Sequence, residues 1–298
     1  MVPVDVVIVS FNSRDRLRGC VGPIAEIEGA RVIVADNAST DGSLATLAGL
    51  PVTTLPLPRN GGFAFGCNAG WRAGEAPYVL FLNPDAAIDE SSLGELVSVL
   101  EADERVGLVA PRIAEADGTL DFSQRRFPRL RSTYAEALFL HRLFPRALWT
   151  SEMVRRPDAY ERPSSPEWVS GACMLVRRGL LERLGGLDEG FFLYCEDKDL
   201  CKRIRDAGFD VRYVPSAVAV HEGGASAPRA SLLPVLATSR VRYARKHRSR
   251  PAAELERLGI ALSALTHVVV SRGGWAARAG HVSSVRAALW GRRPSPAS

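Results

Sequence analysis

The stretch Val4-Asp5-Val6-Val7-Ile8-Val9-Ser10, followed by Phe11-Asn12-Ser13, decides how the rest of this chain reads. An apolar run of this length marks a strand covered on both faces. A helix over residues 13–24 follows it, with Asn12 or Ser13 as its cap. The pattern then repeats. Residues 32–35 form a second strand, ending at Asp36-Asn37-Ala38-Ser39-Thr40-Asp41-Gly42-Ser43, a polar turn able to start another helix. Residues 52–57 form a third strand, followed by Arg59-Asn60-Gly61-Gly62 and a helix over 63–73. A fourth strand, 78–82, runs into Asn83-Pro84-Asp85; a helix capped by Ser91 or Ser92 reaches 101, and another strand spans 107–110. Strands alternating with helices predict an α/β fold with a parallel sheet and right-handed crossovers. Ligands of such sheets bind beyond the carboxyl ends of the strands. Ser10, Asp36 and Asp85 all fall there.

Downstream the regularity breaks. Gln124-Arg125-Arg126-Phe127-Pro128-Arg129 is a basic loop, residues 133–143 read as a helix, and 157–166 are proline-rich and irregular. Residues 168–176 form a strand bent at Ser170-Gly171. A helix over 197–207 ends at Gly208, and two short strands span 211–214 and 217–221. Helices over 231–247, 252–270 and 275–290 follow, then a tail, 292–296, of disordered composition. This organisation predicts an α/β domain over residues 1–230 and a basic helical extension over 231–298.

With 298 residues, 46% hydrophobic and 24% charged, the chain can bury a full core. Its five cysteines, Cys20, Cys67, Cys173, Cys195 and Cys201, form no C-x-x-C pair, so free thiols in a reducing compartment are expected. The N-terminus reads as a strand and not as a signal peptide. No apolar run approaches the roughly 20 residues that a membrane-spanning helix needs. The expected location is cytoplasmic. From Arg240 onward there are twelve Lys or Arg and two acids, a net +10, which leaves −5 for residues 1–239. A basic tail on an acidic body suits an anionic membrane surface, or is simply a solvated helical face. No nucleic-acid recognition module accompanies it.

A few polar positions carry candidate chemistry. Asp36 can accept a hydrogen bond from the imide N–H of a pyrimidine base, and suits an ordinary turn equally. Asn60-Gly61-Gly62 permits close backbone approach to a ligand, or a tight turn. Asn83-Pro84-Asp85 delivers an amide and a carboxylate two positions apart. Such oxygen ligands suit Mg²⁺ or Mn²⁺ carrying a diphosphate, and the same residues also make an Asx turn. In Phe191-Phe192-Leu193-Tyr194-Cys195-Glu196-Asp197-Lys198-Asp199, three acids sit beside aromatic residues. Desolvation there raises carboxylate basicity, as a general base requires, although acids also stabilise a helix N-terminus. His221, 24 positions after Asp197, closes a later apolar strand and suits a metal or phosphate site.

Taken in order and spacing, these segments resemble the family 2 glycosyltransferases of the GT-A fold, in particular their rhamnosyltransferase-like branch. The resemblance covers about residues 4–224 and also includes Asn60-Gly61-Gly62-Phe63-Ala64-Phe65-Gly66-Cys67-Asn68, Trp168-Val169-Ser170-Gly171-Ala172-Cys173 and Gly185-Gly186-Leu187-Asp188-Glu189-Gly190-Phe191-Phe192. It implies a Rossmann-like, mostly parallel sheet with flanking helices, and a nucleotide-sugar donor. Asp36 would bind the pyrimidine base, with Ser10, Asn12, Asn60 and Gly61 lining the same pocket. Asp85 matches the last carboxylate of the family's metal motif and, with His221, would hold Mg²⁺ or Mn²⁺. Asp197 matches the catalytic base. Trp168, Ser170, Gly171 and Glu196 would shape the sugar and acceptor pocket.

One departure stands out: Asn83 occupies a position where the usual metal motif has an acid, as is frequent in the rhamnosyltransferase-like branch. A second is the lack of Gln-x-x-Arg-Trp beyond Asp197, which implies addition of a single sugar. The resemblance therefore implies inverting transfer of one sugar, best matched by L-rhamnose from dTDP-rhamnose, to a polyprenyl-diphosphate-linked acceptor in cell-wall or surface-polysaccharide assembly. The enzyme would sit peripherally at the inner face of the cell membrane. The competing readings are a UDP-sugar-dependent transferase acting on another glycan or a protein, and a non-catalytic nucleotide-sugar-binding protein.

Overall fold

In a computed structural model that describes residues 2–222, 229–271 and 274–291, the N-terminal run forms β1 (Val4–Ser10), every residue of it buried. Then come α1 (Arg14–Ala25), β2 (Ala30–Asp36), a 3₁₀ turn (Ser43–Leu47), β3 (Thr53–Pro56), α2 (Phe63–Arg72), β4 (Tyr78–Leu82), β5 (Ala86–Ile88), α3 (Glu90–Ala102) and β6 (Val106–Ala114). The middle of the chain supplies β7 (Gln124–Arg125), α4 (Leu130–Ala137), α5 (Leu140–Leu143), β8 (Trp168–Val169), β9 (Cys173–Arg177) and α6 (Arg178–Leu184). Last are α7 (Glu196–Asp206), β10 (Asp210–His221), α8 (Arg229–His247), α9 (Arg250–Val270) and α10 (Gly274–Trp290).

The chain divides into two compact units. The first, residues 1–125, 156–190 and 196–226, holds an eight-stranded sheet in the order β3-β2-β1-β4-β9-β6-β10-β5 and the ribbon β7-β8. β3, β2, β1 and β4 run parallel, as do β6 and β10. The sheet is mostly parallel, as expected; the exceptions are β9, antiparallel to β4 and β6, and β5, antiparallel to β10. Its core packs α1 and α3 on one sheet face through Leu17, Val21, Ile24, Leu93, Leu96 and Leu100. On β1, Asp5 is fully buried, and its carboxylate meets Arg178 at 2.6 Å and the Ala76 N–H at 2.7 Å. This pairing is what allows a charge inside an apolar strand.

Several local expectations change. Asp89, and neither serine, caps α3 by accepting from the Ser92 N–H at 2.7 Å. Ser13 stands at the α1 cap position without a side-chain cap bond, because its hydroxyl turns to the Phe11 carbonyl and Asn12 to Thr40. The bent strand over 168–176 is two strands, β8 and β9, and the two short strands over 211–221 are one strand with an irregularity between Val214 and Val218. Gly208 ends α7 at φ +87°, as its place after the helix predicts. All five cysteines are free and buried.

The second unit comprises residues 126–155, 191–195 and 227–298. Here the helix expected over 133–143 breaks into α4 and α5 at Phe139, whose φ is +56°. α8, α9 and α10 pack through Ala237, Val241, Ile260, Ala261, Ala287 and Ala288, four of them alanines that allow close helix approach. Arg240 on α8 meets Glu136 at 3.4 Å and Glu152 at 3.7 Å, and Arg248 meets Glu256 at 3.5 Å. Part of the basic cluster expected to face solvent is thereby neutralised within the unit. The tail over 292–296 and the pair Gly223-Gly224 lie outside the described residues.

Candidate active site

At the carboxyl end of the sheet, Asp36 on β2 lies level with Ser10 on β1, and both are buried. The Asp36 carboxylate accepts from the Ser39 hydroxyl at 2.5 Å and from the Ser39 N–H at 2.9 Å. Ser39 Oγ accepts from the Asn12 N–H at 2.9 Å, and Asn12 Oδ1 from the Thr40 N–H at 3.0 Å. The loops after β1 and β2 are thereby stitched together. Within them Asn12 and Ala38 hold φ of +48° and +59°, conformations that side-chain-bearing residues keep only where surrounding contacts enforce them. Ser10 Oγ and Asn37 Oδ1 are buried without a hydrogen-bond partner among the described residues. Such atoms are costly to leave unmet, and they sit where polar ligand groups would be read. Asn60 Oδ1 accepts from the Gly62 N–H at 3.0 Å. A Cβ on Gly61 would fall 2.3 Å from the Phe65 ring, so packing alone requires glycine there.

Beside these loops opens a cavity of about 210 Å³ lined by Asn12, Ser13, Arg14, Asp15, Arg16, Asp41, Pro84 and Asp85. Asp85 Oδ1 stands 3.2 Å from His221 Nε2, and the same nitrogen is 3.2 Å from the Asn83 side-chain amide. Strand pairing delivers this meeting: His221 ends β10 opposite Ala86, and the Glu222 N–H donates to the Asp85 carbonyl at 3.1 Å. Burial works against ionising Asp85, yet the hydrogen bond and charge of His221 prevail and hold its carboxyl below the ordinary value. The same hydrogen bond raises His221, against the effect of burial.

This pair fits one divalent ion. Neighbouring ligand atoms at right angles on an octahedral ion lie about 3 Å apart, close to the Asp85–His221 separation. No group of three or more acid, His or Cys donors forms among the described residues. An ion held here would therefore take its remaining ligands from a diphosphate, water and the Asn83 amide oxygen after rotation of that group.

Asp197, in the first turn of α7, accepts from the Gly171 N–H at 3.0 Å and the Lys198 N–H at 2.7 Å. Burial raises its carboxyl above the ordinary value; those two bonds and the Lys198 and Arg125 charges oppose this without cancelling it. A Cβ on Gly171 would lie 3.2 Å from that of Asp197, a tight contact that glycine avoids. The ribbon fixes the loop: Trp168 pairs with Arg125 and the Ser170 N–H donates to the Ser123 carbonyl at 3.1 Å. Trp168 is buried, with the Lys198 ammonium 4.8 Å from its ring centre. Glu196 is buried beside Asp197.

These positions form one line. Asp36 reaches Asn12 through Ser39, Asn12 and Asp85 share a cavity, and Asp85 meets His221 and, through it, Asn83. The Asn83 N–H donates to the Ala172 carbonyl at 3.0 Å, and the adjacent Gly171 holds Asp197. Arg14 and Arg16 join them in the cavity wall, although the sequence reading passed them over; basic residues opening the helix after β1 were their signal. Asn68 was also missed. Its amide bonds the Leu187 N–H and carbonyl, Glu189 and Trp71, tying α2 to the loop after α6.

The model of glycosyl transferase family 2 matches residues 5–185. The chain belongs to this family. It is a glycosyltransferase of the GT-A fold. It is 35% identical over 212 residues, 66% of its length and 68% of the relative's, to an N-acetylglucosaminyl-diphospho-decaprenol L-rhamnosyltransferase of Mycobacterium tuberculosis. It is 28% identical to rhamnosyltransferase WbbL of Escherichia coli over 73% of this chain and 83% of that one. Among solved structures, mannosyltransferase PcManGT of Pyrobaculum calidifontis, in complex with GDP-Man and Mn²⁺, superposes with a TM-score of 0.61 over 97% of this chain and 88% of that one. At 18% identity that likeness concerns the fold alone.

Proposed function

We propose that this glycosyltransferase moves one L-rhamnose, with inversion, from dTDP-rhamnose to a hydroxyl of an N-acetylglucosaminyl-diphospho-polyprenol. The observation that carries the reading is the unbroken line of contacts from Asp36 to Asp197, which supports base recognition at the first and proton removal at the second. The identity of the acceptor rests on the mycobacterial relative.

In this reading Asp36, Ser10, Asn12 and Asn60 hold the nucleotide, and Arg14 and Arg16 face its diphosphate. Asp197 takes the proton of the acceptor hydroxyl as its oxygen attacks the anomeric carbon from the face opposite the leaving diphosphate. The two backbone N–H groups on Asp197 fix the carboxylate's orientation, and burial gives it the basicity that the step needs. Gly171 and Ser170 form the floor under the sugar, with Trp168 and Glu196 at its walls. Asp85 and His221 would hold Mg²⁺ or Mn²⁺, which when bound supplies positive charge against the leaving diphosphate. The enzyme would work at the inner leaflet through its basic helical unit; among the described residues no helix is long and apolar enough to cross a membrane.

A thermal-shift comparison of dTDP-rhamnose, UDP-sugars and GDP-sugars, each with and without Mn²⁺, tests the donor assignment. The expected result is stabilisation by dTDP-rhamnose, enhanced by the ion and lost in Asp36→Ala. Stabilisation by GDP-sugars alone would overturn it. NMR of the anomeric proton in the product reads the stereochemistry directly.

A further inference from the structure

Besides Leu255, Leu258 and Trp290 at the start of α9 and the end of α10, the opposite end of the helical unit carries a larger set of apolar side chains that the fold leaves open. Val269 and Val270 at the end of α9 are exposed, the former by 76%, as is Trp275 at the start of α10 by 85%. Leu138, Leu143, Phe144 and Trp149, from the segment around α5, are exposed as well. Their placement at one end follows from contacts. The Thr266 hydroxyl donates to the Ala137 carbonyl at 2.9 Å, the Phe139 and His267 rings lie 4.6 Å apart, and Arg142 and Val270 line one cavity. The His267 and His281 rings are 5.3 Å apart, and Trp275 lies six residues before His281 on the returning helix. Phe144 and Trp149 face each other at 6.1 Å. Exposed apolar side chains gathered at one end in this way mark an interaction site.

Charge decides the partner. Residues 137–151 contain no acid and carry Arg142 and Arg146; residues 258–290 contain no acid and carry Arg272, Arg278 and Arg286. Basic residues interleaved with exposed Trp, Phe, Leu and Val suit the boundary between anionic headgroups and acyl chains, where amphipathic aromatic rings settle. A protein partner would more often meet a polar rim bearing both signs. Resting on the membrane reading above, we propose that this end of the unit inserts into an anionic phospholipid surface. Phe144, Trp149 and Trp275 are its anchors, and the segment around α5 is as much a part of it as the C-terminal helices.

The test is co-sedimentation of the full chain with vesicles of phosphatidylcholine alone and with phosphatidylglycerol added. The triple variant Leu143→Glu/Val269→Glu/Trp275→Glu is compared with Leu255→Glu, an exposed leucine near the other end of α9, with thermal melts confirming that each folds. Expected is binding that needs phosphatidylglycerol, falls about tenfold or more in the triple variant and persists in Leu255→Glu. Equal binding by wild type and triple variant overturns the insertion while leaving electrostatic attachment standing. No binding by wild type removes both. Sedimentation velocity showing that the triple substitution splits a dimer would assign this end to a second copy and overturn the proposal.

Discussion

In the proposed reaction Asp197 is the proton acceptor. Its carboxyl is raised by burial, so the base form appears only above the ordinary carboxylate value near 3.8. The acid limb of kcat/KM is expected to lie above that value, and a limb at or below it would contradict the assignment. The sign for stability runs the other way. A folded-state pKa above the unfolded one means that the folded chain binds more protons between the two values. Ionised Asp197 therefore costs stability at neutral pH, and the cost is relieved as pH falls through its folded value. Asp197→Asn should melt no lower than wild type at pH 7, which a thermal melt checks. The identities of the candidate residues were legible in the sequence because each ends a strand or opens a helix. Their partners were not. Ser39 stitching Asp36 to Asn12, or Gly171 donating to Asp197, are meetings 3 to 28 positions apart that no local pattern announces.

Among the elements, the α/β alternation up to β6 was readable because apolar runs and polar turns change places with one period, except that the three-residue β5 was too short to stand out and the turn after β2 forms only a 3₁₀ turn. Beyond it, β9 enters the sheet antiparallel between β4 and β6, a placement decided by tertiary pairing and not by its own residues. The break between α4 and α5 escaped for a similar reason, since a phenylalanine at φ +56° is not a residue that composition flags as a breaker. The loop after α6 depends on α2 more than its glycines suggest. Asn68 bonds the Leu187 N–H and carbonyl and Glu189 there, and Trp71 on α2; truncation leaves the Leu187 and Trp71 groups unmet, while Glu189 keeps Arg72 at 3.5 Å. Asn68→Ala is expected to cost about 3 kcal/mol, read by chemical denaturation. A loss under about 1 kcal/mol would mean that the loop holds without it.

At the scale of the whole molecule, a net +10 after residue 239 and −5 before it were plain from composition, but the fate of the basic side chains was not. Arg240 lies among Glu136, Glu152 and Glu256, and their charges raise its pKa against the opposing effect of burial. Removing one partner from such a buried pair leaves the others uncompensated, so Arg240→Ala should destabilise by about 3 kcal/mol or more. Arg242→Ala, on an exposed residue, should cost far less, and equal losses in equilibrium unfolding would contradict this account. The chemistry itself is read by rhamnose transfer from dTDP-rhamnose to N-acetylglucosaminyl-diphospho-polyprenol, compared between wild type and Asp197→Asn with donor affinity measured alongside. Transfer by wild type, lost about 1000-fold in the variant while donor affinity stays within about threefold, is the predicted result. Turnover by Asp197→Asn within about tenfold of wild type would contradict it.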